Sequence, residues 1–396
     1  MFVTSIIIIL VITSLFLPKS ILTKYSWICV LILSLLWFRF NPPFNYDLYR
    51  HYESLRIYGS IMLSDVFAMD GRYYDNYLAY MYLKSYPVYS LFAFLIAKIG
   101  IKELLVVIAT FIVYSSVFVC INCMENDNIS KWKYVFSIMS VLFSINYLGC
   151  SGIRNMMAVC IFHMALFYEL VERKNRIACW VVYAACCLIH SQAIIFLGLR
   201  GLLFLYNRFT KNIMKIALIF GISIFTIMSE DILSLFKHNR FLSNIISRAL
   251  YLFNLYNEGG TQYTDRYLQL CMFLYIVMFV ICAYSYNRLD INSHKKWSRY
   301  YDYLVILMLV TISSVAYSDI FARFNTLFTP MFIIMSNLFI RTNGGPTPLS
   351  VHKDEKNISK SYIDLAIIVI IYGVNIIYLL SNYILRYKQM DQYFKF

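Results

Sequence analysis

Charge is what this sequence has least of. Only 14% of its 396 residues are Asp, Glu, Lys or Arg, against 60% hydrophobic, and the mean hydropathy is +0.64. A soluble domain carries about a quarter charged residues, so no soluble domain of useful size remains once the apolar runs are set aside. Strand-like alternation is missing, which argues against a β-barrel. There is no P-loop, no H-E-x-x-H, no G-x-S-x-G and no D-x-D pair. Those absences argue against an enzyme fed by nucleotide sugars and fit one whose donor is a lipid-linked phosphate. The ten cysteines are scattered. Cys120 and Cys123 form a lone C-x-x-C with no second pair or histidine, which reads as inert buried thiols rather than a metal or redox centre. Neither metal nor cofactor is expected.

Apolar runs of about 15–20 residues fill the chain instead, the hydropathy pattern of membrane helices. The expected spans are 2–17, 26–38, 103–122, 134–149, 155–171, 177–190, 192–206, 213–229, 268–286, 302–317, 324–340 and 362–385. The expected fold is therefore all-α: a polytopic membrane bundle of about twelve spans, a single transmembrane domain over 1–396. The first run has no basic residue before it and Lys19 after it, which suits an uncleaved span with its N-terminus outside. The net charge of +14 sits largely in short loops. The polar segments at 131–133, 172–176, 208–215, 288–299 and 341–360 are mostly basic, and the positive-inside rule places them in the cytoplasm. No nucleic-acid partner is implied.

Residues 77–101 break the pattern. Their apolar part is short, begins at Pro87 and is flanked by Lys84 and Lys98. Such a run is more often re-entrant than spanning, so 39–101 reads as an outer segment containing a re-entrant helix. Its first part holds Asp47, Arg50, Arg56, Arg72 and Asp75 among many tyrosines. A second, larger outer loop at 230–267 holds Arg240, Arg248, Asp265 and Arg266. Both are aromatic-rich and suit amphipathic helices in the headgroup layer.

In this topology three polar clusters fall at outer helix ends: Ser151-Gly152-Ile153-Arg154-Asn155, His190-Ser191-Gln192, and Ser318-Asp319 with Arg323 one turn on. Helix N-termini offer free backbone N–H groups and a positive dipole end to an anion. An arginine beside them adds a planar fork that matches phosphate oxygens. Each cluster has a plainer reading. Arg154 can snorkel to headgroups, His190 can be a hydrogen-bonded core residue, and Asp319 and Arg323 can pair at i,i+4. Arginines at outer ends oppose the positive-inside rule, however, and Arg240, Arg248 and Arg266 lie on the same side. A basic outer cavity for an anionic lipid headgroup is their simplest common reason. His163, inside its span, reads as a helix–helix contact, and Arg200 as snorkelling inward.

The stretch Ser151-Gly-Ile-Arg154-Asn155, an apolar helix, the turn Glu172-Arg-Lys-Asn-Arg176, a second helix and then His190-Ser191 resembles the EpsG-like branch of Wzy-type polysaccharide polymerases. In that family a G-[LI]-R-Q motif opens a helix, and H-x-S or H-S follows some way on. Asn155 stands here where Gln is usual. Asp47-x-Tyr49 resembles the family's outer Asp/Tyr segment, and Arg323 its C-terminal arginine. The resemblance implies a metal-independent, GT-C-like polymerase on the outer side of the bacterial inner membrane. It implies transfer of a growing glycan from undecaprenyl pyrophosphate to an incoming lipid-linked repeat unit, with membrane lipid and a chain-length regulator protein as further partners. Arg154, His190, Asp319 and Arg323 are the candidate catalytic residues. Asn155, Ser191, Asp47, Arg72, Arg240, Arg248, Asp265 and Arg266 are the candidate substrate-binding residues. An O-antigen ligase or other lipid-linked glycosyltransferase is one alternative, and a flippase or transporter with a cationic cavity is another.

Overall fold

The computed structural model describes residues 2–42, 47–64, 86–124, 131–144, 152–208, 221, 265–314, 318–342 and most of 366–373, with side chains described at these positions except 2–4, 143–144, 265–268, 271, 318–327 and 342. Among these residues the regular elements are helices: α1 Phe2–Phe16, α2 Lys19–Leu36 with a short 3-10 turn Trp37–Arg39, α3 Asp47–Ser60, α4 Pro87–Ile99, α5 Leu104–Cys123, α6 Lys131–Ser144, α7 Ile153–Leu170, α8 Arg176–Ile189, α9 Gln192–Arg208, α10 Asp265–Asn287, α11 Ile291–Ser313 and α12 Ser318–Thr342. The expected runs from 2–17 to 38 and from 103 to 206, and those between 268 and 340, each coincide with one of these helices as far as they are described; 145–149 and 315–317 lie outside the described residues. The runs 213–229 and 362–385 lie almost wholly outside the described residues.

Among the described residues three stretches are long and apolar enough to cross a membrane: Lys19–Arg39, Leu104–Cys123 and Ile153–Leu170. Shorter apolar helices include Ser5–Phe16, Arg176–Ile189, Met272–Asn287 and Phe328–Arg341. Many of these helices carry a second apolar face that points outward. Ile8, Ile9 and Ile12 on α1, Ile28 and Leu31 on α2, Val181 on α8, Ile194 on α9 and Phe273 and Val280 on α10 are exposed. Apolar side chains spread so widely over the outside suit lipid rather than water.

The centre is α7. Apolar residues surround it on all sides, and most of its length is buried, the pattern of a helix enclosed by others. It packs on α5, α8, α9, α11 and α12.

The basic segments gather at one end. Lys296 bonds Glu172 at 2.8 Å, joining the start of α11 to the α7–α8 turn. The Tyr168 hydroxyl meets Cys123 Sγ at 3.3 Å, and Tyr134 donates to Asn122 Oδ1 at 2.7 Å. Lys133 donates to the Arg341 carbonyl at 3.2 Å. Four of the five expected cytoplasmic segments therefore have described residues in one connected layer.

One of those segments is not a loop. Residues 291–299 are helical, because Asp290 caps α11 by accepting from the Ser293 N–H at 2.7 Å. Trp297, Tyr300, Tyr303, Leu304 and Leu307 then line one buried face of the same rod, while Lys295 and Lys296 stay outside. A capped helix that buries aromatics down one side continues through its charged first turns.

The opposite end holds α3 and α4. α4 packs on α3 and on α8. Its first residues meet the α8–α9 turn, and its last lead through Gly100 (φ 82°) into α5. α5 ends at the basic layer, so its start lies at the far end, beside Tyr52 of α3, over whose ring Lys102 sits. Both ends of α4 are thus on one side of the bundle. Its 13 residues span about 20 Å, less than the hydrocarbon thickness of about 30 Å. The described part of 77–101 is this one short helix, placed at the end of the bundle opposite the basic layer.

Candidate functional site

α7 starts at a sharp turn. Gly152 takes φ +75°, a backbone region that side chains disfavour, so the chain turns directly into a helix whose second residue is Arg154. Arg154 is buried, 8% exposed. Its guanidinium carbon lies 4.7 Å from the centre of the Tyr86 ring and 5.4 Å from that of Tyr89, both within cation–π range.

Each of these rings is fixed from behind. Tyr86 stacks on His190 at 5.6 Å with an interplanar angle of 4°, and its hydroxyl lies 3.3 Å from Ser191 Oγ. The Tyr89 hydroxyl is 2.8 Å from His51 Nδ1, and His51 Nε2 is 3.1 Å from Asp47 Oδ2. Burial alone would raise the Asp47 carboxyl. The adjoining His51 ring and its hydrogen bond, with the Arg154 and Arg50 charges, outweigh it and hold the group well below the usual carboxylate range. Asp47 is therefore an anion at neutral pH, and the stability that its ionised form gains from these partners is fully present above the ordinary carboxylate range and is lost as pH falls from there through the lowered value.

His190 ends α8 in an extended conformation, and its Nδ1 accepts the Gln192 backbone N–H at 3.2 Å. The ring thereby caps α9. A nitrogen that accepts is unprotonated, so in the neutral ring the proton sits on Nε2. The buried amide oxygens Asn155 Oδ1 and Gln192 Oε1 have no hydrogen-bond partner among the described residues.

Of the residues expected from sequence, the structure brings together Asp47, Arg154, His190 and Ser191, with Asn155 next to Arg154 along α7. Asp319 and Arg323 lie in the first turns of α12, and Asp265 and Arg266 open α10. Both helices end in the basic layer, so both start at the end that holds Arg154. The side chains of these four, and Arg72, Arg240, Arg248 and Ser151 altogether, lie outside the described residues. Sequence reasoning missed Tyr86, Tyr89 and His51. The signals were there: Asp47 and His51 are one helical turn apart, and Tyr86 and Tyr89 are three residues apart at the start of a short helix.

Arg200 is a correction. It does not snorkel inward. Its Nε and Nη2 donate to the two oxygens of Glu169 at 2.9 and 2.7 Å. Tyr183 adds a hydrogen bond to the same carboxylate at 2.9 Å, and Arg176 approaches it at 3.3 Å. Glu169 is near the last turn of α7 and Arg200 is midway along α9, so the carboxylate offered a nearer and geometrically better partner than the headgroups. His163 packs edge-on against Phe196 of α9 and Tyr303 of α11. The cysteines described are all free thiols, and among the described residues no cluster of His, Cys, Asp and Glu could hold a metal.

The chain matches the model of the EpsG family over residues 69–393. No curated protein and no solved structure matches.

Proposed function

Because the chain belongs to the EpsG family, we propose that it is a membrane glycosyltransferase that polymerises polysaccharide repeat units, of Wzy type and GT-C-like architecture. Its donor is a glycan on undecaprenyl pyrophosphate and its acceptor a lipid-linked repeat unit. The observation that carries this reading is Arg154: a buried arginine at a helix start, held between tyrosines, with His190 and Asp47 on facing elements.

The chemistry follows from charge. A hydroxyl oxygen of the acceptor bonds the anomeric carbon of the growing chain, and the bond from that carbon to pyrophosphate breaks. The electron pair leaves with the pyrophosphate, so negative charge grows there at the transition state. A pre-placed arginine at a helix N-terminus stabilises that charge most where water is partly excluded. His190, with its proton on Nε2, is suited to donate to an oxygen of the donor. The proton of the acceptor hydroxyl then falls to a carboxylate, Asp319 or Asp265, at the start of α12 or α10. Asn155, Ser191, Arg323, Arg72, Arg240, Arg248 and Arg266 would line the path of sugar and pyrophosphate.

Purified protein reconstituted with a lipid-linked repeat unit should give a ladder of products. Transfer of a single glycan to a lipid A core acceptor, with no ladder, would replace this reading with a ligase. Transbilayer movement without new bonds would replace it with a flippase.

The proposed site of action is the outer face of the bacterial inner membrane, with the basic layer in the cytoplasm and about twelve crossings in all. Lys174 in the basic layer and Ser191 in the site are both exposed. In intact cells a membrane-impermeant thiol reagent should label Ser191→Cys and spare Lys174→Cys. The reverse pattern would invert the topology and overturn the outer-face assignment.

A further inference from the structure

The polar groups around Arg154 form a connected series rather than a loose cluster. Asp47 can only accept, so the His51 Nε2–H donates to it. In the neutral ring that leaves His51 Nδ1 as an acceptor, and the Tyr89 hydroxyl donates to it. In that tautomer the two hydrogen bonds run in one direction, over distances of 3.1 and 2.8 Å. His51 and Tyr89 are almost wholly buried, at 1% and 2% exposed, and their rings also meet edge-on at 5.3 Å. The series crosses from α3 to α4 and ends at a ring facing a guanidinium on α7.

We infer that His51 and Tyr89 are positioning residues for Arg154: the chain Asp47–His51–Tyr89 fixes the ring plane against which the guanidinium is held. The inference rests on the reading of Arg154 as the group that binds pyrophosphate. Tyr89 without its hydroxyl keeps its ring but loses its anchor, and the ring can then tilt about its long axis. A guanidinium set on a tilting face aims its in-plane N–H donors less well. Pyrophosphate oxygens are matched by such donors only in a narrow geometry. Hydrogen bonds in series also polarise one another, so the anion at Asp47 strengthens the bond at Tyr89. His51 itself need never touch substrate.

The test uses the full chain in detergent or liposomes and three variants: Tyr89→Phe, His51→Ala and the double. Two measurements are made. The first is the rate at which phenylglyoxal modifies Arg154, followed by mass spectrometry of its peptide, which needs no substrate. The second is the initial rate of glycan extension. In both single variants Arg154 should be modified several-fold faster than in the wild type, and kcat should fall about tenfold with KM within about twofold. The double variant should be no worse than the worse single, because both break one series. His51→Gln keeps a donor for Asp47 and an acceptor for Tyr89, so it should recover most of the loss; it also covers the case in which His51→Ala does not fold. Unchanged Arg154 reactivity in both Tyr89→Phe and the His51 variant would overturn the inference, as would a double variant whose loss is the product of the singles. If modification responds as expected while the wild type extends no glycan, the positioning stands and the polymerase reading falls.

Discussion

Arg200→Ala should destabilise the bundle by about 3 kcal/mol, the lower part of the range for breaking a buried ion pair from one side. The loss comes from Glu169, whose side chain is 4% exposed and accepts two hydrogen bonds from Arg200. Without them a carboxylate stays buried with Tyr183 and the mostly exposed Arg176 as its remaining described partners. Arg176 screens it only partly, since an ion pair with one exposed partner contributes little. Glu169→Ala should cost a similar amount by stranding Arg200 in the same way. The double replacement Glu169→Leu with Arg200→Met is expected to sit much closer to the wild type, because it removes both charges and roughly keeps their volume. Thermal unfolding in detergent, followed by tryptophan fluorescence, gives the ordering. If Arg200→Ala melts with the wild type, the pair contributes nothing to holding α7, α8 and α9 together.

Arg154→Ala should slow glycan extension by about 100- to 1,000-fold, the cost of removing one well-placed donor to a developing anion. In cells this leaves single repeat units or short chains on the surface while the protein is still made. Arg154→Lys is the sharper variant. It keeps the charge and the cation–π contact with Tyr86, but gives up the planar fork. It should recover the binding of lipid-linked substrate more than the rate, so KM should approach the wild-type value while kcat stays low. A melting curve taken beside the kinetics separates loss of fold from loss of chemistry. Normal chain length in Arg154→Ala would remove this residue from the reaction.

Hydropathy made the helices legible because a membrane helix must satisfy its backbone internally and show lipid an apolar side. The same logic singled out Arg154, because in the expected topology it stands on the side that positive-inside disfavours, which calls for a local reason. Two things were hidden for one common cause. The Glu169–Arg200 pair and the His51–Tyr89 contact each depend on which side chains meet across helices. Glu169 and Arg200 are 31 positions apart, and His51 and Tyr89 are 38 apart. Hydropathy windows see neither partner from the other. A charge inside an apolar run was therefore assigned to the nearest headgroup when its real partner was on the next helix but one. Asp290 and Ser293 could have been read as a cap from their spacing, but the basic residues that follow pointed to a loop.

α7 has a bearing on how such a protein can diversify. A rod packed against five neighbours accepts few replacements, because each change of volume is felt on every side. The arginine proposed for the chemistry rides on that rod. Among the described residues α3 and α4 pack on fewer helices than α7 does, and they supply residues that frame the arginine. Variation selected for a new sugar therefore has room there while the charge stays put. A library confined to α3 and α4 should yield more folded, altered-specificity variants than one of equal size on α7.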